Sequence, residues 1–427
     1  MDLYQVFCPS GISGKLLMIQ SDEALSRSRL FVIQCLLLGI CSVFASGADA
    51  QSTWIPTLPE NDANTRKGFD YFYSLEYDKA IREFEAAQRP HPDDPFATNH
   101  LLTGVIFKEL FRIGSLDTES FAGDAFLKRQ SIPLDPQIQN RVHQLSDKAL
   151  LQAQQYLNKN PDDTNALYAR AVTRGLRAVY MGIGEKAWFV ALRSAVGARH
   201  DDERVLELDP KYVDAKTAVG IHLYVVGSLS LPFKVAASVV GISGSKSKGL
   251  QYLREAAAAN GESATDARIA LALFLRREQQ YKEAIAVVAR LSATYPRNFL
   301  MATEHANLLN AAGDGPEAIA AFRKVISGCH SNAYTICRLE IPAYGLGEAL
   351  KGQGDYQGAV QAYELAASSA PDPERRQRAT LAAGQMYDVQ QKRDAALQKY
   401  NAVIAENSSS ESADLARHYI KQAYKTP

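Results

Sequence analysis

The sequence predicts an all-α solenoid of about eight antiparallel helix pairs closed by a C-terminal capping helix, and three observations carry that expectation. Small and aromatic residues return in a fixed register along the chain. Prolines at 92, 161, 210, 296 and 371 fall on a period of about 34 residues once a few insertions are allowed. The last apolar-periodic stretch is a single amphipathic segment with no partner after it. At 427 residues the chain exceeds the size at which one compact core is usual, so an elongated array or several domains is expected.

The register begins at Gly68, Tyr71, Tyr77, Ala80, Phe84, Ala87 and Pro92. It returns at Ala272, Leu275, Tyr281, Ala284, Val288, Leu291 and Pro296, then at Ala306, Leu309, Gly315, Ala318, Phe322 and Val325. Two further copies are Gly347, Leu350, Tyr356, Ala359, Tyr363, Ala366 and Pro371, and Gly384, Tyr387, Ala396, Tyr400 and Val403. Small residues let two antiparallel helices approach closely, and the aromatic fills the gap to the next pair. Proline ends the second helix because it lacks the N–H and clashes with the preceding turn. One pair cannot bury its apolar face alone, so pairs must stack. These residues resemble the tetratricopeptide repeat family over 61–94 and 265–406, which implies a right-handed superhelix.

Between the regular copies lie three expansions. Residues 96–158 read as one enlarged pair, with helices near Phe96–Ile113 and Gln137–Asn158 and an irregular stretch through Gly114, Gly123 and Pro133. A surplus of about 15 residues lies around 179–188, and one of about 18 in GSLSLPFKVAASVVGISGSKSKG, residues 227–249. The last is glycine-rich, but a Walker-type phosphate loop needs glycine directly before lysine and a strand upstream, whereas Ser245 precedes Lys246. Pro232 and Lys234 interrupt any membrane-spanning run. Gly220 and Gly249 sit at small-residue positions of one pair, so the segment is expected between its two helices, with a short helix near Pro232–Val240 folded onto the solenoid. The region is similar to a subgroup of exported bacterial repeat proteins with an LP-containing insert, and more faintly to repeat proteins of the inclusion-body-clearance type. Neither likeness implies a reaction.

The expected organisation is a leader over 1–50, a linker over 51–60, an expanded repeat region over 61–260, and regular repeats with the capping helix over 261–427. Arg27 and Arg29, the apolar run from Leu30 to Ala45, and Ala48-Asp49-Ala50 read as a secretory signal cleaved after Ala50. An uncleaved anchor is the alternative. Ile40 before Cys41 departs from a lipoprotein pattern. Export to a bacterial periplasm or outer membrane follows as an expectation. Cys329 and Cys337 then remain, an even count that suggests a disulfide across the enlarged connector between two pairs. Free buried thiols are the other reading.

Lys+Arg and Asp+Glu are 47 each, so the chain lacks the basic field that nucleic-acid binding needs, and no nucleic-acid partner is expected. The eight histidines show no metal-ligand spacing. His200-Asp201-Asp202-Glu203 is read as a solvated helix start, and Asp94 and Asp163 as helix caps. No nucleophile elbow or dinucleotide fingerprint is present, so no enzyme activity, cofactor or metal is expected. The tetratricopeptide resemblance implies that first helices line a concave groove. It places Arg276, Arg277, Asn307, Asn310, Tyr344, Glu348, Lys351, Arg378, Gln385 and Asp388 there, facing a protein or peptide partner. Thr303 stands where the chaperone-binding carboxylate clamp would have lysine, so that partner is not expected. A peripheral membrane contact is allowed, and the alternative function is an apolar-ligand or lipid carrier using the 227–249 insert.

Overall fold

The computed structural model describes residues 54–116, 132–229, 234 and 243–426. The leader, the region around Gly123 and the helix expected near Pro232–Val240 lie outside the described residues. Within them the chain forms 17 α-helices and no strand.

The helices fall into eight pairs and a cap. The pairs are α1 (Ala63–Tyr73) with α2 (Tyr77–Gln88), α3 (Pro95–Arg112) with α4 (Pro136–Lys159), α5 (Thr164–Val179) with α6 (Trp188–Leu208), and α7 (Ala215–Ser228) with α8 (Lys246–Ala258). They continue as α9 (Ala264–Arg277) with α10 (Tyr281–Thr294), α11 (Phe299–Ala312) with α12 (Gly315–His330), α13 (Glu340–Gly352) with α14 (Tyr356–Ser369), and α15 (Pro373–Val389) with α16 (Arg393–Glu406). The cap is α17 (Glu411–Lys421).

Helix starts follow the acidic signals in the sequence. Asp62, Asp94, Asp135, Asp163 and Asp372 each accept a backbone N–H of the first turn, three of them just before a proline that opens the helix. The close approaches are also where the sequence puts small residues. A Cβ on Gly68 would stand 2.3 Å from the Phe84 ring, and one on Gly347 2.5 Å from the Tyr363 ring. Phe84, Tyr363 and Tyr400 are fully buried between pairs.

One detail differs from the sequence reading. His200–Glu203 is not a solvated helix start but lies in the middle of α6, with Asp201 and Asp202 each 1 % exposed. Arg170 of α5 makes a two-pronged ion pair with Asp201, at 2.7 and 3.0 Å, and Arg174 adds a third contact. On α17 the inward residues are Ala413 and Ala416, while Leu415 points outward because the small pair lets the helix lie close on Tyr400.

The array returns on itself. The turn of the first pair and the end of α3 abut the connectors that join pairs four to eight. Tyr73 donates to Asp266 at 3.0 Å, Asn298 donates to the Tyr73 carbonyl at 2.7 Å, and Arg297 bonds Glu76 at 2.8 Å and Asp70 at 2.7 Å. Beneath these bonds Phe72, Tyr77, Ile106 and Leu110 share one core with Phe299, Val325 and Ile341. The seam is therefore a hydrophobic core edged with charge-assisted bonds, which pair the charged groups Glu76, Asp70 and Arg297 at its border.

Candidate functional site

Four successive first helices, α9, α11, α13 and α15, turn one polar row each toward a shared channel. Where those rows converge there is a cavity of about 200 Å³ lined by Arg276, Asn307, Asn310, Tyr344, Glu348 and Arg378, with Glu340 and Arg375 at its rim. The helical repeat places them: residues three and four apart share a face, so Asn307 and Asn310, Tyr344 and Glu348, and Arg375 and Arg378 each form an adjacent couple on one helix.

The charges in the cavity are held in place by neighbours. Arg276 reaches both oxygens of Glu304, at 3.1 and 3.0 Å, and the Asn307 amide donates to the same carboxylate at 3.3 Å. The Arg378 guanidinium lies over the Tyr344 ring, 4.0 Å from its centroid, a cation–π contact that fixes both side chains. Burial raises the Tyr344 phenol above its usual range, partly offset by Arg378. Glu348 accepts from Tyr363 at 2.6 Å and from Lys351 at 3.0 Å. Burial works against the charge on Lys351, yet the Glu348 carboxylate outweighs it and raises the ammonium above its ordinary value.

One end of the cavity meets the seam. Arg338 donates to the Phe111 carbonyl at 3.4 Å and Arg375 to the Gly114 carbonyl at 3.0 Å, both at the C-terminal end of α3, where the helix dipole favours cations. Gly114 has φ +71°, and a Cβ there would stand 3.0 Å from Arg338. Glycine thus serves both the left-handed backbone and the approach of the guanidinium.

Of the ten residues singled out for the groove, the structure brings together six: Arg276, Asn307, Asn310, Tyr344, Glu348 and Arg378. Lys351 adjoins them through Glu348, Gln385 is half-buried one turn from Asp388, and Arg277 is exposed at the end of α9. Asp388 is not open to the channel. Its side chain is 1 % exposed and is taken up by Arg393 at 2.8 Å, Tyr400 at 2.8 Å and the Tyr424 backbone N–H at 2.9 Å, so it anchors the C-terminal tail beyond α17. Arg375 and Glu340 were not singled out, because each stands in the first turn of its helix, beyond the stretch in which the family's groove positions are counted.

Cys329 and Cys337 are joined by a disulfide, with their Cα atoms 5.6 Å apart. The loop they close carries Thr335, which donates to Glu76 at 3.1 Å, and Tyr334, which packs on Phe299. Burial alone would raise the Glu76 carboxyl, but bonds from Lys79, Arg297 and Thr335 outweigh it and hold the group below the usual carboxylate range.

The glycine-rich stretch after α7 has a packing role in its described parts. A Cβ on Gly249 would stand 2.7 Å from the Gly220 carbonyl oxygen, and one on Gly244 2.3 Å from the Gly227 nitrogen. The Ser245 N–H donates to the Leu223 carbonyl at 2.9 Å. Backbone therefore lies on backbone at the neck of the insert, which leaves no room for an anion between these glycines. Of the 227–249 insert read as the seat of an apolar ligand, residues 230–233 and 235–242 lie outside the described residues. Among the described residues no group of three His, Cys, Asp or Glu side chains could hold a metal ion, and no helix is long and apolar enough to cross a membrane.

No protein-family profile and no curated protein sequence matches the chain. Solved structures do. One from a functional characterisation of Pseudomonas aeruginosa PilF is 17% identical, covering 57% of this chain and 96% of its own, with a TM-score of 0.36. A tetratricopeptide repeat protein from Parabacteroides merdae is 16% identical over 75% of this chain and 97% of its own, TM-score 0.33. Yeast Tom70 is 14% identical over 84% of this chain and 94% of its own, TM-score 0.35. The in-register small, aromatic and proline positions, and the eight packed helix pairs of the described residues, make this an all-α solenoid of stacked antiparallel helix pairs, the fold that the tetratricopeptide resemblance implies.

Proposed function

We propose that the protein is a non-catalytic interaction scaffold that holds a partner polypeptide in the channel formed by α9, α11, α13 and α15. The observation that carries this reading is the convergence of Arg276, Asn307, Asn310, Tyr344, Glu348 and Arg378 on one cavity. Such a mixture suits an extended chain: amides can donate and accept at once, while the guanidinium on Tyr344 offers a flat charged platform. Pairing of each charge by a neighbour supports binding that reads shape and hydrogen bonds together rather than net charge. With the leader read at 1–50, the scaffold works in a bacterial cell envelope, in the periplasm or at the outer membrane.

The test is site-directed photocrosslinking in the native envelope. A crosslinker at Asn310 or Lys351 should capture a partner polypeptide, and one at Gln357, on the second helix of the same pair as Lys351, should not. Arg378→Glu should lower capture about tenfold or more, the scale expected when a central arginine of an interface is lost. Equal capture from Asn310 and Gln357 would remove the channel from the account.

A further inference from the structure

Opposite in character to the polar channel is a ridge of exposed apolar side chains on α6 and α7. Phe189 is 92 % exposed, Leu192 60 %, Trp188 46 % and Val196 36 %. Phe189, Leu192 and Val196 repeat at helical spacing on one stripe, while Ala191, Ala198 and Val205 face the core. His222 of α7 lies in the field of Arg199 and Glu203 of α6. That antiparallel register carries Val225 and Leu229, 48 % and 37 % exposed, toward the Leu192 end of the ridge. Large apolar side chains concentrated on one helical stripe mark an interaction site rather than the scattered exposure normal for soluble proteins.

Charge on the same elements identifies the partner's chemistry. In a chain whose charges balance overall, residues 186–200 contain Lys186, Arg193 and Arg199 and no carboxylate, and residues 215–229 contain Lys216 and none. Residues 243–254, the start of α8, add Lys246, Lys248 and Arg254, again with none. Carboxylates meet four of these cations, Glu278 at Lys246, Glu203 at Arg199, Glu255 at Lys216 and Glu283 at Arg254, while Glu185 bonds His143, so Lys186 and Arg193 are the cations beside the apolar stripe itself. Lys186 lies over the Trp188 ring at 5.7 Å. Aromatic and aliphatic residues along an exposed helical stripe, bordered by lysine and arginine, are what an interfacial helix presents to an acidic bilayer.

We propose that this ridge docks the protein onto an anionic lipid surface, with Trp188, Phe189 and Leu192 entering the interface and Lys186 and Arg193 meeting headgroups. A second copy of the chain is disfavoured as the occupant, because a two-fold contact centred on Phe189 and Leu192 would bring Lys186 and Arg193 against their own copies. The ridge stands apart from the channel, so the proposal does not depend on the scaffold reading.

Trp54 and Trp188 are the two tryptophans, and Trp54 stacks on Tyr156 with ring centroids 4.3 Å apart, so Trp54→Phe leaves Trp188 as a sole reporter in the full-length chain. Vesicles of phosphatidylcholine with phosphatidylglycerol should shift Trp188 emission to the blue, and brominated acyl chains should quench it. Phe189→Ser with Leu192→Ser, both at exposed positions, should weaken that partitioning about tenfold or more while leaving the helical circular dichroism unchanged. Vesicles that carry the protein without changing Trp188 emission would overturn the proposal, since another segment would then be the anchor. Equal quenching by phosphatidylcholine alone would overturn the anionic assignment. Shielding of Trp188 from an aqueous quencher that grows with protein concentration, without lipid, would assign the ridge to a second copy instead.

Discussion

Six of the eight pairs turn between their helices in one way, and two do not. In pairs one, three, five, six, seven and eight the residue two places before the second helix has a left-handed backbone: Leu75, Lys186, Gln279, Gly313, Gly354 and Gln391, with φ from 57° to 92°. Pair three reaches that residue through a π-helical turn at Tyr180–Gly184, whereas in pairs two and four the stretch between Arg112 and Pro136 and the insert after Ser228 stand in its place. The helices of these three pairs pack together all the same. Turn geometry is therefore not what sets the pairing: in pairs one, four, seven and eight, expanded and regular alike, a glycine of the first helix packs directly on the second, at Gly68, Gly220, Gly347 and Gly384. These three insertions each follow a first helix, whereas the enlarged connector at 331–339 follows a second helix and joins two pairs.

The comparison can be broken at its packing contacts, where the largest effect is expected. In the regular seventh pair the neighbour of Gly347 is the Tyr363 ring, a side chain that can shift. In the expanded fourth pair the neighbours of Gly249 are the Gly220 carbonyl and the Tyr224 nitrogen, both at 2.7 Å and both backbone. Gly249→Ala should cost more than about 3 kcal/mol and Gly347→Ala about 1–2 kcal/mol, read from urea midpoints with unchanged slope. Equal costs would mean that the expanded pair is no tighter at its neck than the regular one.

The same contrast explains how much was legible in the sequence. Packing between neighbours in the chain leaves a period, so Gly68, Phe84, Gly347 and Tyr363 announce the pairs, and aspartates before proline announce the helix starts. Asn307, Asn310, Tyr344 and Arg378 could be placed together because a shared groove follows from the repeat. The seam could not be read. Tyr73 with Asp266 and Arg297 with Glu76 are 193 and 221 residues apart, and each is a single polar contact with no recurring pattern. Asp201 was misread for a related reason: its partners Arg170 and Arg174 lie on the neighbouring helix of the pair, so the local sequence shows only an acidic run.

The enlarged connector between pairs six and seven joins the two halves of this comparison, since the regular repeats use it to receive the first pair. Cys337→Ala should lower stability by about 2–3 kcal/mol under oxidising conditions, the value for a short closed loop. In reducing buffer it should have no effect. Because Thr335 and Arg338 touch Glu76 and Phe111, amide exchange at 70–77 should also quicken in the reduced protein. Unchanged exchange there would separate the disulfide from the seam.

A smaller and pH-dependent effect tests the expanded third pair. Asp202 is buried beside Asp201 and Glu203, and burial first, then those charges, raises its carboxyl well above the ordinary range. Its Oδ1 lacks a hydrogen-bond partner. A folded-state pKa above the unfolded one means that the contribution to stability is fully present below the unfolded pKa and is lost as pH rises through the folded value. Wild type should therefore lose Tm relative to Asp202→Asn as pH is raised from about 5 to about 9. A parallel pair of Tm curves would show that Asp202 ionises as freely in the folded chain as in the unfolded one.

The smallest expected change returns to the turn. Gly313 and Gly354 occupy the left-handed position without steric cost, but Gln279 and Gln391 hold it at φ 57° and 59° with a Cβ pressed toward the backbone. Both glutamines are exposed, so replacing them removes little packing. Gln279→Gly and Gln391→Gly should each stabilise the protein by about 0.5–1 kcal/mol, strain relief being offset in part by the freer unfolded chain. Loss of stability at either site would mean that the glutamine side chain, rather than the backbone angle, holds the turn, and the six pairs that share this turn would then differ among themselves as much as they differ from the other two.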